Sequence, residues 1–247
     1  MRKEITLCLL AVLTLYSCQK KELEYKVSDS KSFTAVIEDS YSTDTKTSLD
    51  EYGNVLWKRG DQVSIFAGST INEQYQVTDA SDGQTSAGLN RVTSPGFNAG
   101  GEIDNNVAFY PYASTNAIAK NGSGYAVSVS LPATQIYAES SFGNGAFPMA
   151  AVTSSTSDMN LKFKNILGGL KLQLKGTASI ASISVSGNND EILCGTANVA
   201  VSSSSVPSIS MTGSTGKTVT LYCGEGVQLN GSTATSFIIA LPPLTMT

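Results

Sequence analysis

The chain has 247 residues, a formal net charge of −4 and no histidine. Without histidine there is no Ser–His or Cys–His nucleophile pair, and the commonest general base and metal ligand is missing. Charged residues are 15% against 41% hydrophobic, with no basic block, so nucleic acid is excluded as a partner class because phosphate binding needs clustered Lys and Arg.

The N-terminus reads as an export signal. Met1-Arg2-Lys3 supplies positive charge, and Ile5 to Tyr16 is a nearly unbroken apolar run of 12 residues. That is too short for a helix crossing a hydrocarbon core of about 30 Å, but it fits a signal-peptide core. The run ends in Leu15-Tyr16-Ser17-Cys18, which has the form of a lipobox, with Tyr16 where a small or aliphatic residue is usual. Cleavage is expected between Ser17 and Cys18, with Cys18 lipidated. Each buried methylene then contributes about 0.8 kcal/mol, so several acyl chains hold a protein on a membrane almost permanently. The alternative is an ordinary secretory signal with Cys18 near the cleavage point. Gln19, in place of Asp, resembles lipoproteins sent on to the outer membrane, and residues 18–32 read as lipidated Cys and polar tether after a signal peptide at 1–17.

From there period-two alternation dominates, and helical periodicity barely appears. Strands are predicted at Phe33 to Ile37, Val55 to Trp57, Gln62 to Phe66, Val107 to Tyr110 and Tyr125 to Leu131. Leu161 to Lys164, Leu170 to Lys175, Ile180 to Val185, Thr218 to Cys223 and Ser236 to Leu241 continue the series. One apolar and one polar face per strand is the pattern of antiparallel sheets. Asn121-Gly122, Asn144-Gly145, Asn188-Asn189-Asp190 and Asn230-Gly231 supply residues that reach positive φ cheaply. A single helical turn is expected near Lys164 to Gly168. The Ser/Thr-rich stretch at 153–157 reads as a linker, dividing the chain into β-sandwich domains at 33–155 and 156–247. The second ends one or two strands short of a usual sandwich: either the sequence is a fragment or that domain has an open edge.

Few side chains suggest chemistry. Cys194 and Cys223 lie near the ends of predicted strands, where they either pair as a disulfide or serve as small buried hydrophobes. No cluster suggests a metal, and no cofactor is implied. Asp50-Glu51 and Asp190-Glu191 are adjacent carboxylates, and strand neighbours face opposite ways, whereas glycosidase chemistry needs two carboxylates across a cleft. No catalytic residue is assigned, and the chain reads as a non-enzyme. Trp57 is expected as a core plug beside the Gly60-Asp61 turn. Arg59-Gly60-Asp61 matches the tripeptide that integrins recognise, set against a plain turn.

Phe33-Thr34-Ala35-Val36-Ile37-Glu38, then Thr45-Lys46-Thr47, then Trp57-Lys58-Arg59-Gly60-Asp61-Gln62-Val63-Ser64-Ile65-Phe66 resembles, in order and spacing, the N-terminal domain of the fimbrillin family. Ala108-Phe109-Tyr110-Pro111-Tyr112, Leu131-Pro132-Ala133-Thr134-Gln135 and Phe147-Pro148-Met149 continue the likeness, and Phe163 to Leu170 resembles the opening of the family's second domain. The resemblance implies an all-β chain of two tandem transthyretin-like antiparallel sandwich domains and a structural role at the cell surface. It also implies assembly: a protease removes the first strand, and a strand from another subunit fills the groove. Carried onto this chain, the released strand is Phe33 to Glu38. Lys46, the sole basic residue between Glu38 and Trp57, is the candidate processing site, although the family's polymerising members are cut after Arg. Uncut, the protein would be an anchor or accessory subunit. Partners are then the outer membrane, other fimbrial subunits, and host or bacterial surface ligands. The alternative is a surface lipoprotein that binds a glycan or host ligand without polymerising. Exposed tyrosines among Tyr110, Tyr112, Tyr125 and Tyr137 would favour that alternative; buried ones favour the first reading.

Overall fold

Short β-branched and aromatic runs, punctuated by Gly, Asn and Ser, form strands throughout the computed structural model, which describes residues 31–38, 56–92 and 100–243. In chain order the first are β1 (Phe33–Ile37), β2 (Gln62–Ser69), β3 (Glu73–Val77), β4 (Ser86–Arg91) and β5 (Glu102–Tyr110). Next come β6 (Ala117–Asn121), β7 (Gly124–Leu131), β8 (Thr134–Ala138), β9 (Ser141–Phe142), β10 (Met149–Val152) and β11 (Asn160–Asn165). The last are β12 (Gly168–Leu174), β13 (Ser179–Ser186), β14 (Gly195–Val201), β15 (Ser208–Met211), β16 (Thr218–Gln228) and β17 (Thr235–Leu241). A 3₁₀ turn at Asp79–Ser81 is the one helical piece among the described residues. The fold is all-β.

Seven strands close a barrel in the order β1-β11-β10-β5-β2-β3-β4. Its interior holds Phe33, Trp57, Ile65, Tyr75, Leu89 and Phe163 among a cluster of buried side chains. On β2 and β5 the runs Val63-Ser64-Ile65-Phe66 and Asn106-Val107-Ala108-Phe109-Tyr110 are buried continuously, so both faces are covered. Ile65 and Ala108 point into the barrel, while Phe66, Val107 and Phe109 point outward into a second apolar cluster. Gly68, at φ +72°, sits in the β2 bulge between Ala67 and Ser69, a conformation that glycine adopts without steric cost.

The second cluster collects the inward faces of the remaining sheets. One sheet runs β15-β14-β7-β6 and another β13-β16-β8-β9, with β12 and β17 paired separately. Alternation on β7 buries Tyr125, Val127, Val129 and Leu131 and leaves Ser128 and Ser130 exposed, as the sequence predicts. The Gln135 side chain joins β17 to β8: its Nε2 donates to the Ala240 carbonyl at 2.8 Å, and its Oε1 accepts from the Ala240 N–H at 2.9 Å.

Two local expectations change. Residues 164–168 form no helical turn, because the Ile166 N–H is taken by the Pro148 carbonyl at 3.1 Å and the chain makes only a bend at Leu167 between β11 and β12. The stretch 153–157 is the connection from β10 to β11, which are hydrogen-bonded neighbours in the barrel. The buried amide of Asn106 gathers that connection by donating to the carbonyls of Ser155, Thr156 and Asp158, the last at 2.7 Å.

Candidate functional site: the slot of the first strand

β1 is five residues long, and its alternation is strict. Phe33, Ala35 and Ile37 face the barrel interior and are buried, while Thr34 faces solvent and Val36 is half-exposed. It pairs antiparallel with β4, Phe33 opposite Leu89, and parallel with β11, Ile37 opposite Phe163. Bonds beyond the ladder complete its backbone: Thr34 N–H to Met159 O at 3.0 Å, Ile37 N–H to Thr85 O at 3.1 Å and Glu38 N–H to Phe163 O at 2.9 Å. The Phe33 ring meets Tyr75 edge-on, with centroids 5.4 Å apart. At the strand's end Glu38 reaches Lys162 at 3.6 Å and Lys164 at 3.5 Å, both on β11.

This geometry makes β1 the staple of the barrel. Taking it away would leave a groove floored by Tyr75, Leu89, Leu161 and Phe163 and walled by two unpaired backbone edges, on β4 and β11. Burying a Phe or Ile side chain is worth roughly 1.5–3 kcal/mol, and each lost rung about 1 kcal/mol, so an empty groove strongly favours refilling by another extended segment. Such an unpaired edge is a template for strand addition. Lys46, the candidate processing site, lies outside the described residues, as do the Ser17–Cys18 cleavage junction, the Cys18 lipidation site and the Asp50-Glu51 pair.

The neighbouring motif residues are structural. Trp57 is fully buried, bridges to Gln84, and meets Tyr110 and Phe163 edge-on at 5.6 and 5.3 Å. Gly60, at φ +86°, makes the turn into β2. Asp61 is 2% exposed. Its Oδ2 accepts the Lys58 N–H at 2.9 Å, and its Oδ1 lies 3.2 Å from the Tyr110 hydroxyl. That hydroxyl is also 2.5 Å from Asn144 Oδ1 and accepts the Gly145 N–H at 3.1 Å. Burial pushes the Asp61 carboxyl above its usual range, against the lowering effect of those hydrogen bonds. Burial and the adjacent Asp61 push the Tyr110 hydroxyl up as well. Arg59 turns away to Asp79 at 2.9 Å. The Arg-Gly-Asp tripeptide therefore presents no free carboxylate to a receptor.

Cys194 and Cys223 are both buried, and they are not bonded to each other. Cys194 immediately precedes β14, whose neighbours are β15 and β7, while Cys223 lies on β16, between β13 and β8. They belong to different sheets, so of the two readings the geometry fits two small buried hydrophobes and not a disulfide across neighbouring strands. The Cys194 thiol donates to the carbonyls of Gly216 and Thr218, each at 3.3 Å, and burial pushes both thiols up. Asp190 is paired with Lys217 at 2.8 Å, and Glu191 accepts the Asn189 N–H at 2.9 Å. Tyr110 and Tyr125 are buried, and Tyr112 and Tyr137 half-buried.

Three features escaped the sequence reading: β4 as the second wall of the slot, the turn-gathering role of Asn106, and the strand-bridging role of Gln135. A lone amide in a polar stretch carries no local signal of a partner 50 or 105 residues away. Comparisons with family models, with curated proteins and with solved structures find no match for this chain.

Proposed function

We propose that this chain is a fimbrillin-like, lipid-anchored protein of the outer-membrane surface, serving as a structural, anchor or accessory subunit of fimbriae and assembling by strand exchange. One observation carries the reading: the first strand of the barrel is a short, alternating segment held between β4 and β11, with its apolar face in the core. Release of that strand would expose a groove whose two backbone edges give affinity and whose alternating apolar floor gives register, the physics of β-augmentation. Within this reading the barrel and the sheets around the second cluster stand for the two transthyretin-like sandwiches of the family, with β6 to β9 crossing from 33–155 into the second and β11 from 156–247 into the first. Cys18 supplies the anchor, and the loop after β1 supplies the cut. The buried Tyr110 and Tyr125 favour it over a non-polymerising lipoprotein that presents an aromatic ligand platform.

The test mixes purified mature protein with a trypsin-like protease and follows SDS-resistant species by electrophoresis. Cutting within 39–55 should release β1 and yield ladders, and Lys46→Gln should suppress them. Cut protein that stays monomeric rejects the proposal.

A further inference from the structure

A second surface lies on the outer face of the β15-β14-β7-β6 sheet. In the register of β7 and β14, Ser128 stands opposite Asn198 and Ser130 opposite Thr196, which sets four polar side chains in one block. Ser128 donates to Asn198 Oδ1 at 2.9 Å. The hydroxyls of Ser130 and Thr196 have no partner among the described residues. A cleft of about 610 Å³ lies over this block. A second cleft, of about 450 Å³, adjoins it, and Ser130 lines both. The walls of the second cleft include the rings of Tyr112, Pro111 and Pro132, with the side-chain amides of Gln62 and Asn144 beside them.

We propose that these two clefts form one continuous groove for a neutral oligosaccharide. Three observations select that ligand class. First, hydroxyls and amides both donate and accept, as sugar hydroxyls do. Second, the groove offers no Lys or Arg, and its one ionisable acid, Asp61, is buried and already engaged by the Lys58 N–H and the Tyr110 hydroxyl. Phosphate, sulfate or uronate groups would find no cation to pair with. Third, β7 and β14 are each bonded to strands on both sides, so the block itself offers an extended peptide no free backbone edge; the open edges of the sheet are the outer strands β15 and β6. The half-buried Tyr112 ring and the two proline rings supply an apolar wall for the C–H face of a sugar. Both volumes fall within the usual range for ligand sites, about 300–1,000 Å³. By contrast, the hydroxyls on the outer face of β13 and β16 satisfy one another: Ser184 with Thr220 at 2.9 Å and Ser186 with Thr218 at 2.7 Å. The groove is separate from the β1 slot, so the proposal stands whether or not the chain polymerises.

The experiment titrates isotope-labelled mature protein with neutral hexasaccharides of glucose, mannose, galactose and N-acetylglucosamine, and with hexagalacturonate, while backbone amide shifts are followed by NMR. At least one neutral hexasaccharide should perturb the amides of Ser128, Ser130, Thr196 and Asn198 saturably, and hexagalacturonate should not. Ser128→Lys, an exposed position, should weaken binding at least about tenfold, a loss of about 1.4 kcal/mol. Thr134→Lys, on the outer face of β8, should leave binding unchanged. A thermal melt of each variant checks that it is folded. The proposal fails if no neutral hexasaccharide shifts those amides at about 10 mM, which would put any Kd above the weak end of specific recognition. It fails equally if Ser128→Lys binds like the parent, or if hexagalacturonate binds the same residues equally well.

Discussion

Single side chains fix the most consequential turns. Asn106 is fully buried, and besides gathering three carbonyls of the β10–β11 connection it donates its own backbone N–H to Thr153 Oγ1 at 2.9 Å. Asn106→Ala would remove the amide that ties those half-buried carbonyls together, at a cost of about 1–3 kcal/mol. A fall in the urea midpoint at unchanged slope is the expected readout, and an unaltered midpoint would reject the role. Asp61 makes a pH-dependent prediction. Its carboxyl is raised in the folded chain by burial, so the folded state holds the proton more tightly than the unfolded state. The stability this group contributes is therefore present below its ordinary value of 3.8 and lost as pH rises through the raised value. Asp61→Asn cannot ionise. Its stability relative to the parent should climb as pH increases upward from 3.8, and chemical denaturation across that range measures the difference. A constant gap would mean that Asp61 does not titrate as the structure indicates.

Strands were most legible where the alternation is long and chemically sharp. β7 and β12 declare themselves through Val and Leu at every second position, and the structure places those residues on the side of the second cluster, while β17 shows itself as a continuous apolar run, Phe237 to Leu241, buried throughout. β3, β4, β14 and β15 did not. Segments such as Ser-Ala-Gly-Leu-Asn-Arg and Gly-Thr-Ala-Asn-Val-Ala-Val carry small or polar residues that have weak strand preference alone, and they become strands because neighbours pair with them. Gln135 shows how side chains extend such pairing. Its amide takes the place of backbone rungs between β8 and β17, so Gln135→Leu would orphan the N–H and carbonyl of Ala240 in a buried site. A loss of about 2–4 kcal/mol follows from two bonds and two stranded groups. Thermal unfolding would register it, and faster hydrogen exchange at Ala240 would locate it; a variant as stable as the parent would contradict the assignment.

At the scale of the whole molecule, the two apolar clusters meet across β2, β5 and β10. Phe66, Phe109 and Ala150 contribute to one cluster and Ile65, Tyr110 and Met149 to the other. Their central stretches, at 63–66, 107–110 and 149–151, have no solvent face to lose, which is why they read as nearly continuous apolar runs rather than alternating ones. No covalent cross-link holds Cys194 to Cys223. Denatured mature protein should therefore take up a thiol-alkylating reagent at both positions without prior reduction, as read by intact mass. Its melting temperature should not respond to a reductant. Failure to alkylate until a reductant is added would show that the pair is oxidised.

Alternation, turn residues and the absence of helical periodicity were enough to establish an all-β chain and to say which side chains of most strands turn inward, because the face of a strand residue depends only on its immediate neighbours. The pairing of strands was decided elsewhere. That β1 lies parallel to β11 and antiparallel to β4, that β11 joins a barrel begun far earlier in the chain, and that Ser128 and Asn198 share one block depend on contacts between segments well over 40 residues apart. Such contacts are selected by how whole apolar faces fit together once the chain has collapsed, and no local pattern of residues encodes them.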